Sequence, residues 1–453
     1  MNFNLFTNQF EVSGDSTFLI RDDVKHSFSD LAKKVDEKYL YLMKVCAGER
    51  SLVIVGDYDV DSIAYMLAAI KCSITFTLQT KETYKNLKDE LSEIGFQVVL
   101  FTNHNNVIYL TPTDHESVLS DSISHHGQLV IFFSSGSTGR PKAIVHKLPN
   151  LLLKFVGKNN KKFTSFVFLQ FDHMGGFNTL LAIFFGGGCA VTIADRDPSE
   201  VARLIEKYNV QLLPATPTFL SLLVISKAYL KYDLSCLRVI SYGTETMADS
   251  LLTRLHILFP GVKLKQTYGL SEIGVVPTVS KSSNSTYFKI VGKQYRTKII
   301  DSILKIKAPS TMIGKMVFSG DKYEFQDEPY EQWFDTKDVV EQEGEFIRVL
   351  GRDSDIINVG GNKVYPAEVE SCLFRHPAIT EVLVKPKKNA ITGFSVHAMV
   401  VLCPDSEVEI ERLSIMKFVR EALPKYACPA SYDFVGSLPK TSRFKRDRSN
   451  AQD

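Results

Sequence analysis

The sequence predicts an α/β protein in two parts: a large N-terminal domain of helix-covered sheets with a β-rich subdomain, and a small α+β C-terminal domain. Three features carry this expectation. Apolar runs of strand length alternate with segments of helical spacing through the first 125 residues, the rhythm of a mainly parallel sheet covered by helices. From residue 300 to 343 the pattern changes to short, closely spaced strands of antiparallel type. The strand at residues 346–350 then runs into a polar break, Gly351-Arg352-Asp353-Ser354-Asp355, of linker composition. The domains are therefore expected at residues 1–351 and 352–453.

Taken in order, residues 26–49 have helical spacing, with Phe28, Leu31, Val35, Leu40 and Leu42 among the apolar positions. Residues 51–56 read as a strand closing on glycine, 63–70 as a helix and 73–78 as the next strand. Asp57, Asp59 and Asp61, at alternate positions, resemble the start of a calcium loop. Ser62 stands where that loop needs glycine, and no Glu follows at its twelfth position, so these aspartates are expected to cap the next helix. Residues 129–133 form a buried strand, and a strand at 166–171 leads into Asp172-His173-Met174-Gly175-Gly176-Phe177. Residues 180–194 mix helix and strand character around the turn at Gly186, Gly187 and Gly188. Further strands are expected at 211–217, 238–243, 263–267, 303–306 and 315–318. The last hundred residues carry a helix at 366–374, opened by proline in its first turn, and another at 409–423. A basic tail follows, with Lys440, Arg443, Lys445, Arg446 and Arg448.

Composition narrows the function. With 453 residues, 44% hydrophobic and 23% charged, the chain is an ordinary globular protein, and a net charge of +2 gives no reason to invoke nucleic acid or an anionic membrane surface. The N-terminus lacks the basic and apolar stretches of a signal peptide. The longest apolar run is too short and too interrupted by glycine to span a bilayer. Seven scattered cysteines without a CxxC pair indicate neither a disulfide framework nor a zinc site. A cytoplasmic protein without stable membrane insertion is expected.

The chemistry concentrates at strand ends. After residues 129–133 come Ser134, Ser135, Gly136, Ser137, Thr138 and Gly139, then Arg140-Pro141-Lys142. Small residues let successive N–H groups turn toward one point, hydroxyls add donors and Lys142 adds charge, a combination suited to a polyphosphate. It is not the Walker pattern. The strands at 238–243 and 263–267 end in Ser241-Tyr242-Gly243-Thr244-Glu245 and Tyr268-Gly269-Leu270-Ser271-Glu272. Open α/β sheets bind ligands at such carboxyl ends. Glu272 offers a carboxylate for Mg²⁺ and Tyr268 a flat face for a base.

Together these motifs resemble the adenylate-forming superfamily, which includes acyl-CoA and aryl-CoA synthetases, peptide-synthetase adenylation domains and luciferases. The order matches from about residue 26 to about residue 446. FFSSGSTGRPKAIV resembles its phosphate loop, SYGTETM its adenine turn, and QTYGLSEIG its Tyr-Gly-x-Thr-Glu motif with Ser271 for threonine. FDHMGGF resembles the segment gating the acid pocket, and WFDTKDVV the Thr-Gly-Asp motif with Lys337 for glycine. GRDSDIINVGGNKVYPAEVE is similar to the hinge and the pantetheine-side loop, with Ser354 at the pivot, and LPKTSRFKRDR to the catalytic-lysine motif, with Phe444 for glycine.

The resemblance implies ATP-dependent activation of a carboxylic acid to an acyl-adenylate with release of pyrophosphate. Transfer to coenzyme A, or to a phosphopantetheine thiol on a separate carrier protein, would follow. It implies that residues 134–139 and Lys142 hold the β- and γ-phosphates. Tyr268 would stack on adenine, with Gly243 and Thr244 along its edge and Ser271 in the same turn. Glu272 would bind Mg²⁺, Asp338 the ribose hydroxyls, and Arg352 would approach that sugar. Lys445 and His173 would serve the reacting groups, and Gly360 and Gly361 would admit the pantetheine arm after the small, mobile domain rotates. A freestanding ligase is expected, with an apolar acid pocket of His173, Met174, Gly176, Phe177, Tyr242 and Ile273 that takes an aromatic or medium aliphatic acid. Two alternatives stand beside it: amino-acid adenylation, with Asp172 binding an ammonium group, and a homologue that binds nucleotide without turnover.

Overall fold

The computed structural model describes residues 3–110, 117–134, 140–156, 162–328, 332–403 and 406–438. Among these, the strands form five sheets. The parallel centre of the eight-stranded sheet runs Leu129–Ser134, Thr75–Gln79, Ser51–Val55, Val98–Phe101. It is parallel because the helices Val60–Lys71 and Lys81–Ile94 return the chain between successive strands. The seven-stranded sheet runs Lys263–Gln266, Val239–Tyr242, Leu212–Ala215, Thr164–Phe166, Cys189–Thr192, Thr17–Arg21, Val24–Ser27, parallel except for the last pair.

One core joins the two sheets. It includes Leu52, Ile54 and Phe76 from the first, Leu19 and Ala190 from the second, and Ile63, Phe177 and Phe184 from helices between them. The helix Val60–Lys71 is apolar nearly all round because it lies in this middle layer; even Ser62 is buried in it. Its N-cap is Asp59, which accepts from Ser62 N at 2.8 Å. Asp57 and Asp61 serve ion pairs instead, to Arg21 at 3.2 Å and to Lys34 at 2.9 Å.

Several expected strands differ from those observed. The strand expected at 166–171 is Thr164–Phe166, and after Val167, whose N–H bonds Val191 O, the chain leaves the ladder. The stretch 315–318 lies in the strand Gly314–Ser319. That strand does not join the neighbouring antiparallel sheet but extends the eight-stranded one, pairing with Lys142–Lys147. The antiparallel six-stranded sheet is built from Thr278–Ser280, Phe288–Ile290, Phe346–Arg352, Phe334–Glu343, Ile303–Lys307 and Arg296–Ile300.

The smaller C-terminal domain has its own core, with Ile357, Val382, Val400 and Ile415 among its residues. Its five-stranded sheet carries the helices Pro366–Leu373 and Val408–Ala422. All seven cysteines are free, and among the described residues no helix is long and apolar enough to cross a membrane.

Candidate active site

Two cavities open at the carboxyl ends of the seven-stranded sheet and share Gly243, Thr244, Tyr268 and Arg352 in their walls. The first, about 340 Å³, is closed by Asp338 and by Tyr365, Pro366 and Glu370 of the C-terminal domain. The second, about 380 Å³, runs from Ser134, Ser271 and Glu272 to Phe168, Asn178 and Arg196.

The turn after Val239–Tyr242 is shaped by crowding. A Cβ on Gly243 would stand 2.4 Å from Thr267 Oγ1 and 2.8 Å from Thr267 O, so only glycine lets the two strand ends meet. Thr244 follows with φ +69°, and Glu245 ties the turn to the next helix by accepting from Thr218 N at 3.1 Å and Thr218 Oγ1 at 2.8 Å.

Beside it, Tyr268 Oη donates to Asp338 Oδ2 at 2.5 Å, and Arg352 Nε lies 3.1 Å from Asp338 Oδ1. Asp338 is only 5% exposed. Burial raises its carboxyl above the ordinary range, while Tyr268 and Arg352 pull it back. Burial and the adjacent carboxylate hold the Tyr268 phenol well above its usual value, so it remains a donor. The other neighbour of the Tyr268 ring is Phe288, stacked at 5.6 Å.

The Glu272 turn is held from behind. Met312 N donates to Glu272 O at 2.7 Å, and Ser310 Oγ donates to Ile273 O at 2.7 Å. His146 Nε2 lies 2.7 Å from Ser271 O and its Nδ1 3.1 Å from Ser310 O. Burial pushes His146 down to about 4 despite these two carbonyls. The Glu272 carboxylate is left facing the second cavity, with no ion pair among the described residues. Among those residues no three His, Cys, Asp or Glu side chains converge. A cation at Glu272 would therefore be held by one carboxylate with phosphate and water, the manner in which Mg²⁺ is usually bound. The donor set fits.

Ser134 ends one strand and pairs with Lys142, which begins the next. Ser135, Gly136, Ser137, Thr138 and Gly139 lie outside the described residues, as do Phe444 and Lys445. The far side of the loop is anchored: Arg140 Nη2 bonds Glu93 Oε1 at 2.9 Å and packs its guanidinium 3.9 Å over Phe318, while Tyr323 Oη donates to Pro141 O at 3.0 Å. Gly360 and Gly361, with φ +56° and +88°, form an exposed hairpin turn and are not among the lining residues.

The chamber around His173 differs from the acid pocket expected there. His173 and Met174 line it, but Phe177, Tyr242 and Ile273 are buried behind its wall. Gly176 does not make room for substrate. Its missing Cβ makes room for Gln170 O, at 2.0 Å from where that carbon would stand, and for Tyr58 Oη, at 2.2 Å. Asp172 is also behind the wall, 4% exposed, with Oδ1 2.7 Å from His173 Nδ1. Asn178, Thr179 and Arg196 face the chamber instead, so it is more polar than a reading of the residues near His173 foresees.

A cavity walled by strand-end glycine, tyrosine, a buried aspartate and an arginine, sharing a wall with a second chamber, lies where open α/β sheets bind ligands. Comparison with known proteins sharpens this reading. The family model described as AMP-binding enzyme matches residues 45–323, and that of the AMP-binding enzyme C-terminal domain matches residues 368–445. The chain belongs to this family, within the adenylate-forming superfamily.

It is 28% identical over 337 residues to 4-coumarate–CoA ligase-like 5 of Oryza sativa subsp. japonica, covering 70% of this chain and 60% of the relative. It is 26% identical over 401 residues to the putative acyl–CoA ligase YdaB of Bacillus subtilis, covering 80% and 77%. Against three plant 4-coumarate ligases and ligase-like proteins the chain spans 60%, 66% and 62% of their length. The fold is shared with the anthranilate CoA ligase AuaEII in complex with anthranoyl-AMP, at TM-score 0.79 and 19% identity over 98% of this chain and 95% of that one. It is shared too with the o-succinylbenzoate CoA synthetase of Bacillus subtilis in complex with its acyl-adenylate, at TM-score 0.74 and 19% identity over 99% and 98%.

Proposed function

We propose that the protein activates a carboxylic acid with ATP to an acyl-adenylate and transfers the acyl group to a thiol, of coenzyme A or of a phosphopantetheinylated carrier. One observation carries this reading. The Tyr268–Asp338–Arg352 cluster, suited to a nucleoside, shares walls with a second chamber that runs past Glu272 to Phe168 and Arg196.

In the first step a carboxylate oxygen attacks the α-phosphorus and the bond to pyrophosphate breaks. Two anions meet there, so cationic groups are needed where charge accumulates. Tyr268 presents its ring to adenine, with Gly243, Thr244 and Ser271 shaping the turns. Asp338 accepts from the ribose hydroxyls, assisted by Arg352. Residues 134–139 with Lys142 hold the phosphates in line. Mg²⁺, held by Glu272 and phosphate, would supply neutralisation of the leaving group. Lys445 places its ammonium between the carboxylate and the α-phosphate, and His173 borders the acid. In the second step a thiol sulfur attacks the acyl carbonyl and AMP leaves. We place the boundary between domains at residues 351/352 and the pivot at Ser354, so that rotation exchanges Lys445 for the loop bearing Gly360 and Gly361. Seven free thiols suit a reducing, cytoplasmic setting.

Amino-acid adenylation would need a carboxylate facing the chamber. Asp172 is buried against His173, which disfavours that reading.

Acid-dependent exchange of pyrophosphate into ATP, over aromatic, aliphatic and amino acids, tests the proposal. Exchange with an aryl or alkyl acid is expected, falling roughly 10²–10³-fold in Lys445→Ala. ATP binding without exchange on any acid would overturn it in favour of a nucleotide binder without turnover.

A further inference from the structure

The residue that most changes the character of the acid chamber is Arg196. It follows the strand Cys189–Thr192 and precedes the helix Pro198–Tyr208, and it lines the chamber. Its Nε is buried without a hydrogen-bond partner, and its guanidinium lies 5.9 Å from the centre of the Phe168 ring. Its acidic sequence neighbours are used elsewhere. Asp197 Oδ1 caps the helix, accepting from Ser199 N at 2.8 Å, and Asp195 Oδ1 accepts from Asp197 N at 3.2 Å. Among the described residues Arg196 has no ion pair. An arginine at cation–π distance from an aromatic ring, with a buried N–H unmet, is a donor awaiting an acceptor.

Position says what that acceptor is. In the sheet, the strand Lys263–Gln266, which leads into Tyr268, and the strand Cys189–Thr192, which leads toward Arg196, are separated by three others, Val239–Tyr242, Leu212–Ala215 and Thr164–Phe166. Four strand spacings of about 4.8 Å put the two ends roughly 19 Å apart. With the nucleoside at Tyr268 and Asp338 and the reacting phosphate near Glu272, the acyl tail is what extends toward Arg196. Asn178 and Thr179 stand on the same stretch of wall. Thr179 Oγ1 is occupied by Gly175 O at 2.8 Å, which leaves Arg196 as the charged contact for the tail.

We propose that Arg196 is a specificity-determining residue that selects acids bearing a second anionic group, a carboxylate, at the end remote from the reacting one. This rests on the adenylation reading above. The guanidinium fork pairs with a planar carboxylate through two parallel N–H bonds, beside the Phe168 ring. A monoacid of the same length leaves the Arg196 guanidinium, part-buried with its Nε out of reach of water, unpaired and binds more weakly.

The test compares acids matched in length, hexanedioic with hexanoic and benzene-1,3-dicarboxylic with benzoic, by pyrophosphate exchange on the full chain. For at least one pair the wild type is expected to favour the diacid in kcat/KM by tenfold or more. That ratio should fall at least tenfold in Arg196→Met and only partly in Arg196→Lys, which keeps the charge without the fork. Thermal melts of both variants ensure that folded proteins are compared. Exchange that favours monoacids in both pairs, or a diacid preference that survives in Arg196→Met, would overturn the role of Arg196 while adenylation stands. Exchange with none of the four acids, nor with any on the wider panel, would remove adenylation and this proposal together.

Discussion

Both oxygens of the Asp338 carboxylate are engaged by side chains of the protein itself. They are taken by Tyr268 and Arg352, so in the proposed nucleotide site a ribose would share or replace these partners. Lys337, just before it, adopts φ +60°, a conformation that costs an L-residue roughly 1–2 kcal/mol and explains why the superfamily motif places glycine there. The lysine answers part of that cost by pairing with Asp335 at 2.9 Å. His146 makes the clearest prediction at this scale. Its ordinary value of 6.5 is pushed down to about 4 by burial, so the unfolded chain takes up a proton at a higher pH than the folded one. The neutral ring's contribution is complete above about pH 6.5 and is lost as the pH falls toward 4, by on the order of 3 kcal/mol. Urea melts at pH 7 and pH 4.5 should show this difference for the wild type and a markedly smaller one for His146→Asn. Equal acid sensitivity in the two proteins would show that His146 does not carry it.

At the level of elements, the site is a set of strand ends brought to one level by a parallel sheet. Gly243→Ala should cost about 1–3 kcal/mol, because the new methyl meets the backbone oxygen of Thr267 as well as its hydroxyl. It should also weaken ATP binding, since the displaced turn lines both cavities. Equilibrium unfolding and a nucleotide titration would read the two effects, and wild-type values in both would refute the crowding argument. Much of this was legible in the chain. Apolar runs closing on glycine mark parallel strands, and an all-apolar helix such as Val60–Lys71 marks a middle layer. Which sheet a strand joins was not legible, as Gly314–Ser319 illustrates. Local periodicity reports which face of a strand is buried and says nothing of a partner some 170 residues away. Arg196 escaped for a similar reason. An arginine between two aspartates reads as solvated loop until the fold turns it into a chamber. His146 gave a faint signal, a polar residue at an inward position of an apolar strand.

Across the whole molecule, the two halves of the proposed reaction make different demands on the C-terminal domain. At the proposed boundary lies a short turn, Asp353–Asp355, in which Ser354 Oγ donates to Asp355 Oδ1 at 3.0 Å and no residue is buried. Proline at position 354 restricts the backbone there. It should uncouple the half-reactions: one of pyrophosphate exchange and thioester formation falls at least tenfold, while the other stays within a few fold. Equal losses in both would argue that the turn is not a pivot. The long-range strand pairing also bears on how the protein is made. The open edge of Lys142–Lys147 is covered only by Gly314–Ser319, and Thr17–Arg21 finds its parallel neighbour only at Cys189–Thr192. At roughly 5–20 residues per second, a ribosome leaves the first of these edges bare for about 10–30 seconds. During synthesis the nascent chain therefore displays unpaired strands that invite other chains. Its yield in a cell will depend on what shields them until the covering strand emerges.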